Sequence, residues 1–269
     1  MATREMLPLM AWSLVTRVTV CAAFALGAVC CRPSNTATTP TPTGMAKRLI
    51  VVTHTTGFRH PSISTAETVL NRLAADSRIF TITFCRNESD VARLLAASGL
   101  ANADGVFFAN TTGNLGIADL PAFLAWISDG HAFLGAHSAS DTYHDAPDYL
   151  AMLGAEFATH GDETTVNVRV EDLAHPAGAP LPNPFTIFDE IYEFRTNPRE
   201  RVHVLLSLDR HPNDGHPEAG QPGDFPLAWH QTYGRGRVFY TALGHRDDVW
   251  NDPRFQQHLL GAIRWATSQ

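Results

Sequence analysis

Cysteine is scarce where it would matter most. Cys21, Cys30 and Cys31 fall in the first 31 residues, and only Cys85 lies beyond them. A domain with one thiol forms no intramolecular disulfide and cannot build a four-cysteine zinc site. Positive charge is also short: 20 Lys plus Arg against 27 Asp plus Glu give a formal net charge of −7. That argues against the basic footprint of a nucleic-acid binder. Several motifs are missing. There is no Gly-rich phosphate loop ending in Lys-Ser/Thr, no G-x-G-x-x-G after the first strand and no H-E-x-x-H. ATPase, dinucleotide-dependent and zincin chemistry are therefore disfavoured. "GAHSAS", residues 135–140, is not a G-x-S-x-G elbow, because Ala136 stands two before Ser138. What is present is globular: 269 residues, 44% apolar and 17% charged, enough for a substantial core.

The longest apolar run of the N-terminal region, Val18 to Cys31 ("VTVCAAFALGAVCC"), is short and alanine-rich for a membrane span. With Arg4 and Arg17 before it and small residues near its end, it reads as an export signal over residues 1–31. Cys30 and Cys31 add a lipid-attachment reading, although Val29 before Cys30 departs from the small residue a lipobox wants. Residues 32–46 follow as a Pro/Thr/Ser-rich linker that lacks the apolar side chains to offset its chain entropy. The expectation is an exported protein, periplasmic or anchored as a lipoprotein. Membrane contact is expected only through this segment. If Met45 ("MAKRLIVV") is the true start, the protein is cytoplasmic.

Residues 47–269 read as one domain. "RLIVVTH", "IFTITFC", "DGVFFAN" and "AFLGAHS" are strand-like runs. Helical spacing separates them, in "SISTAETVLNRLAAD", "DVARLLAASGL" and "ADLPAFLAWISDG", and resumes in "PDYLAMLGAEF". Ser62 or Ser64 is expected to cap the first helix, with Glu67 completing a capping box. Gly99 is expected to end the second. The alternation predicts an α/β fold with a doubly wound, mostly parallel sheet. After Gly161, period-two runs and a hairpin turning at Tyr233-Gly-Arg-Gly predict an antiparallel extension of the same sheet. A last helix opens with Asp252 as cap and Pro253 at its first position.

Histidine, with 13 copies, is the informative residue. In a doubly wound sheet, ligands bind beyond the carboxyl ends of the strands. His54, His60 and His137 fall there, and His230 and His245 belong to the later hairpin and its exit. Converging imidazoles suit acid–base work or a divalent metal. A single histidine at such a place is usually a surface or core residue; the set carries the signal. "TTGFRHPS" is a strand-to-helix loop in which Arg59 offers a charge-assisted contact. "FDEIYEF" sets Asp189 and Glu190 among apolar residues, where a carboxyl is expected to have a raised pKa. Trp250, Tyr143 and Tyr192 are candidate stacking rings for a sugar.

Four stretches, in this order, carry a resemblance: "VVTHTTGFRHPSI", "GHAFLGAHSASDTYHD", "FDEIYEF" and "PLAWHQTYGRGRVFYTALGHRDDVWNDPRFQQHLLGAIRWA". Together they resemble the ThuA-like (trehalose utilisation) family over about residues 48 to 267. The resemblance implies a flavodoxin-like core similar to class I glutamine amidotransferases. The elbow that carries their nucleophilic cysteine reads Gly135-Ala-His137-Ser-Ala139 here, so thioester-based glutamine hydrolysis is not expected. The family association implies a small-molecule carbohydrate partner, a sugar or an oxidised keto-sugar. The expected chemistry is that of a lyase, isomerase or hydrolase, acid–base or assisted by a divalent metal. His137, His60, Glu190 and His245 are the expected catalytic residues, and His60, His137 and His245 the candidate metal ligands. Arg59, Asp141, Tyr143, His230 and Trp250 are the expected substrate contacts. The competing expectation is a carbohydrate-binding lipoprotein without catalysis. A third is a glycosidase pairing Glu190 with Asp141 or Asp247.

Overall fold

The computed structural model describes residues 45–212 and 222–268. The expected signal and all but the last two residues of the linker lie outside them. No helix among the described residues is long and apolar enough to cross a membrane.

The chain alternates as its periodicity requires. β1 (Lys47–Val52), α1 (Ile63–Ser77), β2 (Phe80–Cys85), α2 (Glu88–Leu94), α3 (Ala97–Leu100), β3 (Gly105–Ala109), α4 (Leu120–Ser128), β4 (Ala132–Ala136) and α5 (Pro147–Leu153) form the first half. β3 and β4 are buried along their whole length, which is why they are uninterrupted runs of apolar and small residues. In the second half come β5 (Phe157–His160), β6 (Thr164–Val170), β7 (Phe185–Asp189), β8 (Tyr192–Phe194), β9 (His203–Arg210), β10 (Pro222–Tyr233), β11 (Gly236–Thr241), α6 (Asp247–Asn251) and α7 (Pro253–Thr267). β6 alternates buried and exposed residues, because one of its faces meets solvent.

Nine strands form one sheet in the order β2-β1-β3-β4-β11-β10-β9-β6-β7. The first five run parallel, the flavodoxin-like order, and the other four pair antiparallel. The expected extension is therefore on the same sheet, except that β5 and β8 pair in a separate two-stranded ribbon. β10 and β11 make the expected hairpin, with Tyr233 opposite Gly236. Asp252 caps α7 by accepting the Arg254 N–H at 2.8 Å.

Two local expectations fail. Ser62 precedes α1 but makes no side-chain cap bond. Glu67 instead accepts from the Thr53 hydroxyl at 2.6 Å and from the Arg86 guanidinium, because a charged partner outcompetes a backbone amide. The segment "DVARLLAASGL" is two helices rather than one. Ala96 is extended and breaks it, and Gly99 lies inside the second helix.

Candidate active site

The strand ends that the topology gathers supply four side chains to one place. His137 follows β4 directly and has φ 48°, in the left-handed region. A non-glycine residue there is held by its surroundings. Its carbonyl accepts from the Tyr240 hydroxyl at 2.7 Å, and its Nδ1–H donates to the Ala242 carbonyl at 2.9 Å. The turn is tight enough that a Cβ at Gly135 would stand 3.0 Å from the Ala139 side chain. The elbow of the amidotransferase-like fold thus persists, with an imidazole at its tip. Since a carbonyl only accepts, Nδ1 carries the proton and Nε2 is the nitrogen facing the site.

His60 lies in the loop between β1 and α1 and is buried. Its ring stands edge-on to His137 and His245, with centroids 4.8 and 5.2 Å away, and its Nδ1 is 3.3 Å from the Ser138 hydroxyl. His245 follows β11. Gly244 before it has φ 121°, a conformation side chains rarely adopt. The Gly244 N–H donates to Asp189 at 2.8 Å, and its carbonyl accepts from Asn110 and from the Trp250 indole, each at 2.8 Å. These bonds bring the end of β7, the far edge of the sheet, to the end of β11. Glu190 comes next in the chain. Its Oε2 is 3.4 Å from His137 Nε2 and 3.3 Å from His245 Nδ1, and those two nitrogens are 3.2 Å apart. One ligand atom from each of His60, His137, Glu190 and His245 lies within 4.8 Å of the others.

An outer ring holds this cluster. His160 Nδ1 is 3.0 Å from Glu190 Oε1. Glu163 Oε1 is 3.4 Å from His245 Nε2, and Glu163 is itself paired with Arg246. Tyr192 lies against the His137 ring at 4.2 Å. Phe58, 62% exposed, sets its ring 4.9 Å from His60.

Burial, reinforced by the neighbouring His137 and His245, lowers the His60 pKa to about 3. Burial pushes the Glu190 carboxyl up, but the close imidazoles of His137 and His245 outweigh it and hold the group below the usual carboxylate range. Burial lowers His245, and the bond and charge of Glu190 more than reverse this. The raised carboxyl expected in "FDEIYEF" is thus Asp189, pushed up to about 6 by burial. Glu190 moves the other way, because three imidazoles stand within 3.4 Å of its carboxylate and it is less deeply buried than Asp189.

The expected substrate contacts scatter. Trp250 is 0% exposed, its ring packed on Phe255 and its N–H spent on Gly244, so no face is open to a sugar. Tyr143 is buried against Tyr149, and its hydroxyl accepts from the Ile117 N–H. His230 stacks with His175 and packs against His203 and Trp265; none of these belongs to the cluster. Asp141 pairs with His144 at 2.6 Å. Arg59 turns onto its own loop and donates to the Thr53 carbonyl at 3.1 Å. Sequence reasoning missed His160, Glu163 and Phe58. The run His160-Gly-Asp-Glu163, at the end of β5 and just beyond it, was the available signal. Cys85 is buried at the end of β2, its thiol pushed up to about 12 by that burial, and is not at the elbow.

Three imidazoles and a carboxylate in this spacing can pass protons among themselves, and they also fit a divalent transition metal.

A search against curated proteins finds no match. Among solved structures, the chain is similar to a ThuA-like protein from Bacteroides uniformis, at 25% identity over 87% of this chain and 95% of that one, with a TM-score of 0.67. A ThuA-like protein from Parabacteroides merdae follows at 17% identity, covering 83% and 90%, with a TM-score of 0.68. PurLQS from Thermotoga maritima, at 12% identity over 82% and 99% with a TM-score of 0.52, shares the fold. The family described as ThuA, trehalose utilisation, matches residues 48–266. This chain, with its class I glutamine amidotransferase-like fold and its histidine elbow, belongs to the ThuA family of carbohydrate utilisation.

Proposed function

We propose that this chain is an exported enzyme of carbohydrate utilisation that acts on a sugar or keto-sugar derivative through the cluster His60, His137, Glu190 and His245. The observation that carries the reading is the convergence of these four side chains from four separate strand ends, with ligand atoms within 4.8 Å of one another. A ketone makes the C–H beside it acidic. A neutral imidazole takes that proton, and the electron pair moves onto the carbonyl oxygen as an enolate. The enolate then expels a leaving group on the next carbon or is reprotonated elsewhere, giving a lyase or an isomerase. His60, with its pKa lowered to about 3 by burial, stays neutral across the physiological range, with its lone pair open to a proton. His245, raised by Glu190, is the group disposed to carry positive charge beside the enolate. Phe58, exposed at the edge of His60, offers a face for the apolar side of a sugar ring. Export rests on the N-terminal run Val18 to Cys31 and the linker after it.

The purified protein is incubated with glucosides and their 3-keto counterparts, with and without divalent metal, and the sugars are followed by NMR. Consumption of a keto-sugar, lost in His137→Ala while the thermal unfolding transition remains, is the expected result. Full turnover in His137→Ala, or no change in any sugar under any condition, overturns the proposal. Saturable binding without turnover would favour a carbohydrate-binding protein instead.

A further inference from the structure

The atoms at the centre of the cluster stand at an unusual distance. His137 Nε2 to His245 Nδ1 is 3.2 Å, His245 Nδ1 to Glu190 Oε2 is 3.3 Å, and His137 Nε2 to Glu190 Oε2 is 3.4 Å. Charge-assisted hydrogen bonds are shorter, about 2.7–2.9 Å. Four ligands about 2.0–2.1 Å from one metal in tetrahedral array lie roughly 3.3 Å from each other. The three contacts among His137, His245 and Glu190 have that spacing, and the His60 ligand atom completes a set within 4.8 Å.

The outer contacts behave differently. His137 Nδ1–H meets the Ala242 carbonyl at 2.9 Å, and Glu190 Oε1 meets His160 Nδ1 at 3.0 Å. His60 Nδ1 faces the Ser138 hydroxyl and His245 Nε2 faces Glu163. Each of the four inner residues thus has a polar partner on its far side. In metal sites such partners fix the tautomer and turn the bare atom inward. Without a cation, His137 turns an imidazole nitrogen toward a carboxylate oxygen and a second imidazole.

We infer that His60, His137, His245 and Glu190 form the ligand set of one divalent first-row transition-metal ion, oriented from outside by Ala242, Ser138, Glu163 and His160. Three imidazoles with one carboxylate suit zinc, cobalt, nickel, manganese or ferrous iron, and not calcium or magnesium, which prefer all-oxygen sites. The inference deepens the functional reading by naming the cofactor of the same site, but it requires no sugar chemistry to hold. Bound there, the ion would act as a Lewis acid; it would supply the positive charge beside the enolate in place of His245, and the imidazoles that hold it would not take the substrate proton.

The test uses the full chain stripped with a chelator and titrated with Co2+ and Zn2+, read by calorimetry and by the visible absorption of Co2+. Uptake of one equivalent with a Kd below about 1 μM is expected, unaffected by excess Mg2+. Glu190→Gln, nearly isosteric, should weaken that equivalent at least about 100-fold, and it retains all the histidines and the N-terminal cysteines as a blank. Glu163→Gln touches no ion directly and should weaken binding about 10–100-fold. Circular dichroism checks that both variants fold. No uptake by the parent chain, or uptake that Glu190→Gln leaves intact, overturns the inference. Metal uptake without turnover of any sugar removes the substrate proposal alone. Keto-sugar turnover by metal-free protein that takes up no ion removes this inference alone.

Discussion

Replacing Trp250 by phenylalanine separates a core residue from a sugar platform. The side chain is 0% exposed and packs edge-on to Phe255 with centroids 5.2 Å apart. Its indole N–H donates to the Gly244 carbonyl at 2.8 Å. Phenylalanine keeps most of the packing but loses that bond. The carbonyl is not orphaned, because Asn110 still donates to it at 2.8 Å. The lost bond is therefore worth about 1 kcal/mol. The smaller ring leaves a residual void worth roughly another 1 kcal/mol. A total of about 2 kcal/mol lowers Tm by about 4–8 °C in a domain of this size. Because Asp189 and Asn110 both continue to hold Gly244, His245 should keep its place. The affinity for the sugar should then change by less than about twofold, since less than 0.5 kcal/mol would reach the site. Thermal unfolding by circular dichroism and ligand titration on the same preparation provide both readouts. An unmoved Tm with tenfold weaker sugar binding would falsify the argument and return Trp250 to the binding surface.

The converse is expected of Phe58→Ala. It removes an exposed ring beside His60, so KM for the sugar should rise about 2–10-fold, the worth of one aromatic face, with Tm unchanged; a lowered Tm with unchanged KM would refute it. The protein should also lose stability as pH falls from 6.5 toward 4. Burial lowers His258 and His175 to about 4, so the unfolded chain binds more protons there, and each contributes up to about 1.4 kcal/mol per pH unit. In His258→Asn, which can still donate to the Ala177 carbonyl, the pH dependence of urea unfolding should flatten; an unchanged slope would count against the assignment. Asp189 has the opposite sign. Its pKa is raised to about 6, so its contribution is full below 3.8 and is lost as pH rises through 6. Asp189→Asn removes the buried charge and keeps an acceptor for the Gly244 N–H. It should be stabilising by up to about 3 kcal/mol at pH 8, with the gain vanishing near pH 4; a gain independent of pH would contradict this.

Periodicity alone determined the alternation of the four parallel strands β1 to β4 with helices, because a strand covered on both faces has to be apolar throughout, as β3 and β4 are. The Asp252-Pro253 start of α7 and the two-residue turn of the β10–β11 hairpin were legible for the same reason: each depends on a few adjacent residues. His60, His137 and His245 could be singled out because they lie at or just beyond strand ends. Glu67 shows where local rules stop, since its partner Arg86 is 19 positions away and outweighs the nearby backbone amide. The tertiary structure decided the rest. Trp250 and Tyr143 look like binding rings in one dimension and are core in three, because burial depends on what the fold lays over them. The meeting of Glu190 with His137 depends on strand β7, at the sheet's far edge, reaching the end of β11 through Asp189 and Gly244. The pKa of Glu190, against that of Asp189 beside it in the chain, follows from which charges stand within a few ångströms, and sequence separation does not encode that distance.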